Sequence, residues 1–253
     1  MEKATDWTQT FFSGFILETL PFWTSKEQTQ QEADFLVRTL APAPGARILD
    51  VPCGNGRLAI ALAERGFTLT GVDFTGPWVN AARLSAAQRG LNATFQQRDM
   101  RDLPWPAAFD YAFCFGNSFA YFDDSGNRAF LQAVLHTLKP GGKFVLQTNL
   151  AAESVLTQPL KPFWMKLGDQ YFLHETRYDP ATGQLTSGYT SIRDGQVERK
   201  QAVYRVYPFR ELQQMVCAVG FTVLQSYGSL KQEPYQLGSE GLWLVASKGA
   251  EWS

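Results

Sequence analysis

Two acidic residues and a glycine-rich loop carry the clearest chemical signal in this sequence. An apolar run ends at Asp50, and the loop PCGNG at residues 52–56 follows it directly. An alanine- and leucine-rich segment comes next, and Asp73 closes the following apolar run. A strand, a glycine turn and a helix N-terminus are how α/β proteins hold a nucleotide-like ligand. The spacing therefore predicts such a ligand at this loop, with Asp73 as a second contact.

The glycine loop alone fits more than one ligand. Gly54, Gly56 and Ala59 match the pattern G-x-G-x-x-A, and Asp73 lies about 20 residues further on, as a dinucleotide site requires. A nicotinamide or flavin enzyme therefore fits this loop. A loop whose glycines merely turn the chain also fits it.

The elements that would position the loop alternate between strands and helices from residue 46 onward. Apolar runs predict strands at 47–51, 67–74, 93–99, 109–115 and 143–150, and helices are predicted at 57–65, 77–88 and in the segment ending at 138. This alternation is typical of a parallel sheet that is covered by helices on both faces.

Four segments divide the chain. Residues 1–45 are predicted to form a helical N-terminal cap, and residues 46–150 the α/β core. Residues 151–207 predict an inserted three-stranded antiparallel meander, because Asp194-Gly195 separates two extended runs and is a strong hairpin signal. Residues 208–253 predict a helix and two strands that complete the core.

Composition excludes several classes of protein. The net charge is -1 and no Lys/Arg run is present, which argues against a nucleic-acid partner. Three separated cysteines and two histidines predict no disulfide framework and no metal site. The apolar stretch near the N-terminus is interrupted by Glu18 and is too short to span a membrane. We therefore predict a cytoplasmic protein with reduced cysteines.

Five motifs in register narrow the choice of ligand. The run ILDVPCGNG at 48–56 resembles the first motif of the class I S-adenosylmethionine-dependent methyltransferases. The later motifs of that family resemble GVDF at 71–74, RDMRDLP at 98–104, FDYAFCFGNS at 109–118 and LKPGG at 138–142. The sequence is most similar to small-molecule enzymes, the glycine and amino-sugar N-methyltransferases, which share the Gly-Asn-Ser stretch. The resemblance implies a Rossmann-like, seven-stranded, mostly parallel sheet with a reversed last strand, and S-adenosylmethionine as cofactor.

The resemblance also implies how the methionine and ribose parts of the cofactor are held. Asp50 would complement the ammonium group, and Asp73 would accept hydrogen bonds from both ribose hydroxyls. Backbone N–H groups near Cys53, Gly54 and Gly56 would approach the methionine end, because glycine has no side chain to obstruct it. Pro52 replaces the usual glycine and lacks an N–H, so any donor role passes to its neighbours.

Five further residues are implied at the other ends of the cofactor. Phe74 would pack on the adenine, Asp99 would accept from the adenine amine, and the Met100 backbone would address the ring edge. Phe115 would lie beneath the sulfonium, and Arg57 would meet the cofactor carboxylate.

The methyl acceptor is expected beyond the carboxyl ends of the strands. The candidate substrate residues are Trp23, Asn117, Tyr121, Asn149 and Arg205. His174, on the first strand of the meander, is the candidate general base. The aromatic N-terminal segment, with Phe12, Phe15, Phe22 and Trp23, is predicted either to close over the site as a lid or to pack on the surface of its own domain.

These inferences combine into one hypothesis. The chain is predicted to transfer a methyl group from S-adenosylmethionine to an N or O nucleophile of a small molecule, by direct displacement and without a metal. An NAD(P)-dependent oxidoreductase and a non-catalytic cofactor-binding protein are the alternatives. No nucleic-acid or membrane partner is expected, and the meander is a candidate homodimer interface.

Overall fold

The structure is a computed structural model that describes residues 7–249. Residues 1–6, at the start of the predicted cap, and 250–253, at the end of the last predicted segment, lie outside the described residues. In chain order the strands are β1 (Arg47–Asp50), β2 (Thr68–Asp73), β3 (Ala93–Gln97), β4 (Phe109–Cys114), β5 (Leu138–Thr148), β6 (Phe163–Leu167), β7 (Gln170–Asp179), β8 (Gln184–Arg193), β9 (Gln196–Arg205), β10 (Phe221–Tyr227) and β11 (Leu242–Lys248). The α-helices are α1 (Trp7–Phe11), α2 (Phe15–Thr19), α3 (Lys26–Leu40), α4 (Arg57–Ala63), α5 (Gly76–Gln88), α6 (Asp124–Thr137), α7 (Ala152–Val155) and α8 (Phe209–Val219).

A seven-stranded sheet lies at the centre of the fold. Its strand order is β10-β11-β5-β4-β1-β2-β3. The strands β1 to β5 run parallel, whereas β11 runs antiparallel to both β5 and β10. The predicted seven-stranded, mostly parallel sheet with a reversed last strand is confirmed.

Helices cover both faces of this sheet, because its strands are apolar on both sides. On one face, Phe35 of α3, Leu62 of α4 and Val79 of α5 belong to one buried cluster. On the other face, Phe130 of α6 and Leu212 of α8 belong to a second cluster. This two-sided burial holds the carboxyl ends of β1, β2, β4 and β5 in fixed positions at one edge.

The insertion forms a separate antiparallel sheet of four strands, β6-β7-β8-β9, where three were predicted. The additional strand is β6, which pairs with β7 from Phe163 opposite His174 to Leu167 opposite Gln170. β6 is an edge strand with Phe163, Trp164, Lys166 and Met165 all exposed. A strand without a buried face has no hydrophobic alternation, so periodicity alone does not reveal it.

The N-terminal helices are fastened to the inserted sheet. Phe11, Phe15 and Ile16 pack with Phe172 and Tyr189 in a third buried cluster. Polar contacts extend this attachment. The Lys200 ammonium donates to the Thr10 carbonyl at 3.1 Å and to the Ser13 hydroxyl at 2.7 Å, and Arg193 pairs with Glu18 at 2.8 Å.

β5 begins earlier than predicted. The Pro140-Gly141-Gly142 turn lies inside the strand, at a bulge where Phe109 pairs with Leu138 and Tyr111 with Lys143. Elsewhere, none of the helices in residues 7–249 has the length and apolar character that a membrane span needs.

Candidate active site

A cavity of about 600 Å³ opens at the carboxyl ends of β1, β2, β4 and β5. Most of the predicted site residues line it: Trp23, Asp50, Cys53, Gly54, Arg57, Asp73, Phe74, Asp99, Met100, Phe115, Asn117, Tyr121 and Asn149. Gly56, His174 and Arg205 are not in its wall. The fold therefore brings most of the predicted cofactor-binding and substrate residues into one cavity, and it leaves Gly56, His174 and Arg205 outside.

The glycine loop is held to the end of β2 by its own backbone. The Gly54 N–H donates to one Asp73 carboxylate oxygen at 2.8 Å, and the Thr75 N–H donates to the other at 2.8 Å. The Cys53 N–H donates to the Val72 carbonyl at 2.8 Å. The N–H groups of Cys53 and Gly54 are thus already engaged within the fold, so the predicted contacts of the methionine end would fall to neighbouring N–H groups of the loop. A carboxylate oxygen accepts more than one hydrogen bond, so Asp73 keeps capacity for a ligand.

Gly56 lies outside the cavity wall and is tightly packed against neighbouring side chains. Its φ is 78°, and a Cβ there would lie 2.8 Å from both the Ala82 Cβ and the Phe95 ring. Its N–H donates to the Cys53 carbonyl at 2.9 Å. Glycine is needed here because α4 must start against α5 and β3.

Asp50 is a buried carboxylate at the cavity wall, with 3% of its surface exposed. Burial raises its pKa well above the ordinary aspartate value, while the nearby Arg57 charge and the Ala59 N–H act in the opposite direction. Burial also raises the pKa of Asp73. Two desolvated carboxylates in one cavity favour a ligand that carries positive charge there.

Arg57 is held by a residue that the sequence analysis did not single out. Its guanidinium pairs with Glu32 of α3 at 2.5 Å and also donates to the Thr29 hydroxyl at 3.3 Å. Glu32 lies on a helix whose sequence reads as an ordinary amphipathic segment, so no local signal indicated it. The pair joins the N-terminal part of the chain to the glycine loop.

The next part of the wall lies beyond β3. The Arg101 guanidinium forms a salt bridge with Asp99 at 2.6 Å, and hydrogen bonds from Arg101 lower the pKa of Asp99. Met100 is buried beside it. Asp99 is therefore ionised and can accept further hydrogen bonds from a ligand.

Aromatic side chains form the apolar parts of the wall. Phe115 is 4% exposed and packs edge-on against Phe113. Phe74 meets the ring of Phe12 from the N-terminal segment, with 5.5 Å between centroids. Phe12 also contacts Tyr121, at 5.9 Å, so one N-terminal ring spans from β2 to the chain after β4.

The four aromatic residues predicted as a lid have different positions. Phe12 and Trp23 line the cavity, together with Thr8, which the sequence analysis did not identify. Phe15 packs away from the cavity against Phe172, and Phe22 is 82% exposed. The segment thus covers the cavity with two of the four rings.

The two remaining candidates lie outside the cavity for identifiable reasons. His174 packs between Tyr189 and Phe163, with ring centroids at 4.7 and 5.0 Å, and burial lowers its pKa. Phe172, on the same face of β7, packs against the N-terminal helices, and His174 does not line the cavity. Arg205 is occupied by Glu211 and Asp124, each at 3.3 Å.

Gln147 was missed because it lies within a buried strand, where a polar residue has no motif around it. Its side-chain oxygen accepts from the Gly116 N–H at 2.9 Å and from the Asn117 N–H at 3.3 Å. It therefore ties the end of β5 to the chain after β4, in the wall of the cavity.

Comparisons with known proteins place this geometry in context. Residues 48–142 match a family described as "Methyltransferase domain". The ubiquinone biosynthesis O-methyltransferase of Xylella fastidiosa (strain 9a5c) is 35% identical over 109 residues, which are 42% of this chain and 43% of that protein. The chain thus matches less than half of that relative's length.

Solved structures match over nearly the whole chain. The CcbJ methyltransferase from Streptomyces caelestis has a TM-score of 0.80 at 19% identity, covering 93% of this chain and 96% of that one. CalS10, an amino pentose methyltransferase from Micromonospora echinaspora solved with bound S-adenosylmethionine, has a TM-score of 0.68 at 19% identity, covering 94% and 98%. At these identities the likeness shows a shared fold.

Proposed function

We propose that this chain, which carries a methyltransferase domain on the class I fold of the S-adenosylmethionine-dependent methyltransferases, transfers a methyl group to an N or O nucleophile of a small molecule. The observation that carries the proposal is the single cavity that joins Asp50, Asp73 and Phe115 at one edge of the sheet. Its volume of about 600 Å³ is ordinary for a small-molecule site.

S-adenosylmethionine is the cofactor of this family, and the residues in the cavity fit it. Asp50 is buried without full charge compensation and would complement the cofactor ammonium. Asp73 would accept from the ribose, and Asp99 would accept from the adenine amine. We call this part of the wall, with Arg57, Phe74, Met100 and Phe115, the cofactor half.

A second part of the wall would receive the substrate. We call Thr8, Phe12, Trp23, Asn117, Tyr121, Gln147 and Asn149 the acceptor half; all of them line the cavity. The bound cofactor supplies an activated methyl group on a sulfonium. The acceptor half needs to align the nucleophile and exclude water, and the aromatic rings of Phe12 and Trp23 serve that purpose.

Calorimetric titration with S-adenosylhomocysteine tests the cofactor half. We expect binding to the wild type. We expect the affinity of Asp73→Ala to fall about 10- to 100-fold, because the hydrogen bond from the Gly54 N–H that shapes the loop and the proposed hydrogen bonds to the ribose are lost. Asp102→Ala is the matched control, since Asp102 lies nearby, pairs with Arg98 and does not line the cavity.

Two results would show the proposed cofactor site to be wrong: failure of S-adenosylhomocysteine to bind, or an unchanged affinity in Asp73→Ala. A thermal-shift experiment that compares NAD(P)H with S-adenosylmethionine tests the oxidoreductase alternative, which predicts stabilisation by NAD(P)H. Cofactor binding without turnover on any panel of amines, carboxylates and phenols would favour a non-catalytic protein.

Two features of the proposal concern the environment of the protein. Cys53, Cys114 and Cys217 are free thiols, which fits the cytoplasm that we propose. A homodimer through the inserted sheet stays a prediction, which gel filtration with light scattering would test.

A further inference from the structure

Three side-chain amides form a connected chain in the acceptor half. The Asn117 oxygen accepts from the Asn149 backbone N–H, and the Asn149 side-chain oxygen accepts from the Gln147 amide nitrogen at 2.7 Å. Gln147 in turn accepts from the backbone N–H groups of Gly116 and Asn117. The chain joins the end of β5 to the residues after β4, where Asn117 has a φ of 58°.

The backbone decides which end of each amide faces where. A backbone N–H only donates, so the atom of Gln147 that meets Gly116, and the atom of Asn117 that meets Asn149, must both be oxygens. The Gln147 nitrogen then faces Asn149, so the atom of Asn149 that accepts from it must be the side-chain oxygen. The side-chain nitrogens of Asn117 and Asn149 donate no hydrogen bond to any residue in the described range 7–249. Both asparagines line the cavity, so each offers a ligand two uncommitted N–H donors, whereas its oxygen already accepts a hydrogen bond within the fold.

The acceptor half also lacks a ready general base among the described residues. Asp50, Asp73 and Asp99 belong to the cofactor half, and Glu32, the other carboxylate that lines the cavity, is paired with Arg57. His174 is outside the cavity, and burial raises the pKa of Tyr121, which keeps its phenol protonated. A nucleophile that must first lose a strongly held proton has no partner here.

We infer that the methyl acceptor presents an oxyanion, a carboxylate or an acidic phenol, to the N–H donors of Asn117 and Asn149. The inference rests on the proposed function and narrows its N or O nucleophile to oxygen. Amide donors strengthen when their acceptor is charged, whereas an ammonium group would meet two donors of its own kind.

The reaction balances without a base. One acceptor oxygen bonds to the methyl carbon as the carbon–sulfur bond breaks, and the sulfur keeps the bonding electron pair. The negative charge of the acceptor and the positive charge of the sulfonium cancel, and no proton moves. Asn117 and Asn149 hold the oxygens in line, while Gln147 is a positioning residue that orients Asn149.

A pair of probes with the same ring and opposite charge tests the inference. Benzoate and benzylammonium are titrated calorimetrically into the complex with S-adenosylhomocysteine. We expect benzoate to bind at least about tenfold more tightly than benzylammonium. Asn117→Asp keeps the oxygen that accepts from Asn149 and replaces the donors by a charged acceptor, so we expect it to reverse the order.

Two further variants complete the experiment. Asn149→Asp is the second test variant, because it keeps the oxygen that accepts from Gln147 and loses its donors. Asn80→Asp is the matched control, since it makes the same substitution on an exposed residue whose oxygen accepts from Arg83. We expect the control to keep the wild-type order.

Each outcome bears on a different step. Tighter binding of benzylammonium to the wild type, no binding of either probe, or an order that neither Asp variant changes would overturn the inference while leaving cofactor binding intact. Failure of S-adenosylhomocysteine to bind the wild type would instead overturn the proposed function, and the inference with it. The affinity of each variant for S-adenosylhomocysteine reports whether that variant has folded.

Discussion

The two halves of the cavity differ in how far apart their residues lie along the chain. Asp50, Arg57 and Asp73 of the cofactor half lie within one strand–helix–strand unit, and the loop between them is bonded to itself and to the end of β2. The acceptor half combines the N-terminal segment with the ends of β4 and β5, and its amides bond to one another across those ends. A local unit can be kept as a motif, whereas a wall assembled from distant segments can vary with the substrate.

The largest expected effect tests how tightly the cofactor half is built. Gly56→Ala combines a positive φ with a Cβ 2.8 Å from both Ala82 and Phe95. We expect its free energy of unfolding to fall by about 3 kcal/mol, from backbone strain and overpacking together. Chemical denaturation measures this change.

Gly54→Ala is the control for that experiment. Its φ is 54°, but the nearest atom to an added Cβ is a Trp78 carbon at 4.0 Å. Only the strain of the positive φ remains, so we expect a loss of about 1 kcal/mol. Equal losses in the two variants would mean that Gly56 is not required for packing.

A smaller effect tests whether the two halves are mechanically joined. Phe12 contacts Phe74 of the cofactor half and Tyr121 of the acceptor half. We expect Phe12→Ala to lower the free energy of unfolding by about 2 kcal/mol, since this ring is half-buried. We also expect it to lower the affinity of the protein for both S-adenosylhomocysteine and benzoate. Phe22→Ala, at a ring that is 82% exposed, should change neither by a measurable amount. A loss of affinity for only one of the two ligands would mean that Phe12 does not join the two halves mechanically.

The smallest expected effect is a pH dependence of the free energy of unfolding, which arises from Asp50 in the cofactor half. Because burial raises the pKa of Asp50, the folded protein without cofactor keeps a proton that the unfolded chain has released. This contribution to stability is present at low pH and is lost as the pH rises through the raised pKa.

A cationic ligand beside Asp50 lowers the pKa of this carboxyl again, because the positive charge favours the ionised form. At a pH below the raised pKa, binding of S-adenosylhomocysteine should therefore release a fraction of a proton. Titration calorimetry in two buffers with different ionisation enthalpies measures that release. The pKa of Asp73 is raised as well, so Asp50→Asn assigns the proton: an unchanged release in this variant would place it on Asp73.

Sequence patterns predicted most of the residues that line the cavity, while their roles toward a ligand stay predictions. Asp50, Arg57 and Asp73 follow from strand ends and a glycine turn, which are local features. His174 and Arg205 were wrongly expected near the cavity, because alternation along a strand shows which residues share a face but not what covers that face. Glu32 and Gln147 were missed, since a charged residue on an amphipathic helix and a polar residue in a buried strand carry no local signal.

The sequence by itself determined the alternation of strands and helices in the core, the glycine loop with its two aspartates, and the family that the chain resembles. These properties depend on hydrophobic periodicity and on backbone conformations that neighbouring residues dictate. The tertiary structure alone decided that Arg57 pairs with Glu32, that Phe12 closes the cavity while Phe22 does not, and that the amides of Asn117 and Asn149 expose donors. Those outcomes depend on contacts between residues far apart in the chain, where a hydrogen bond already made within the fold determines which atom remains for a ligand.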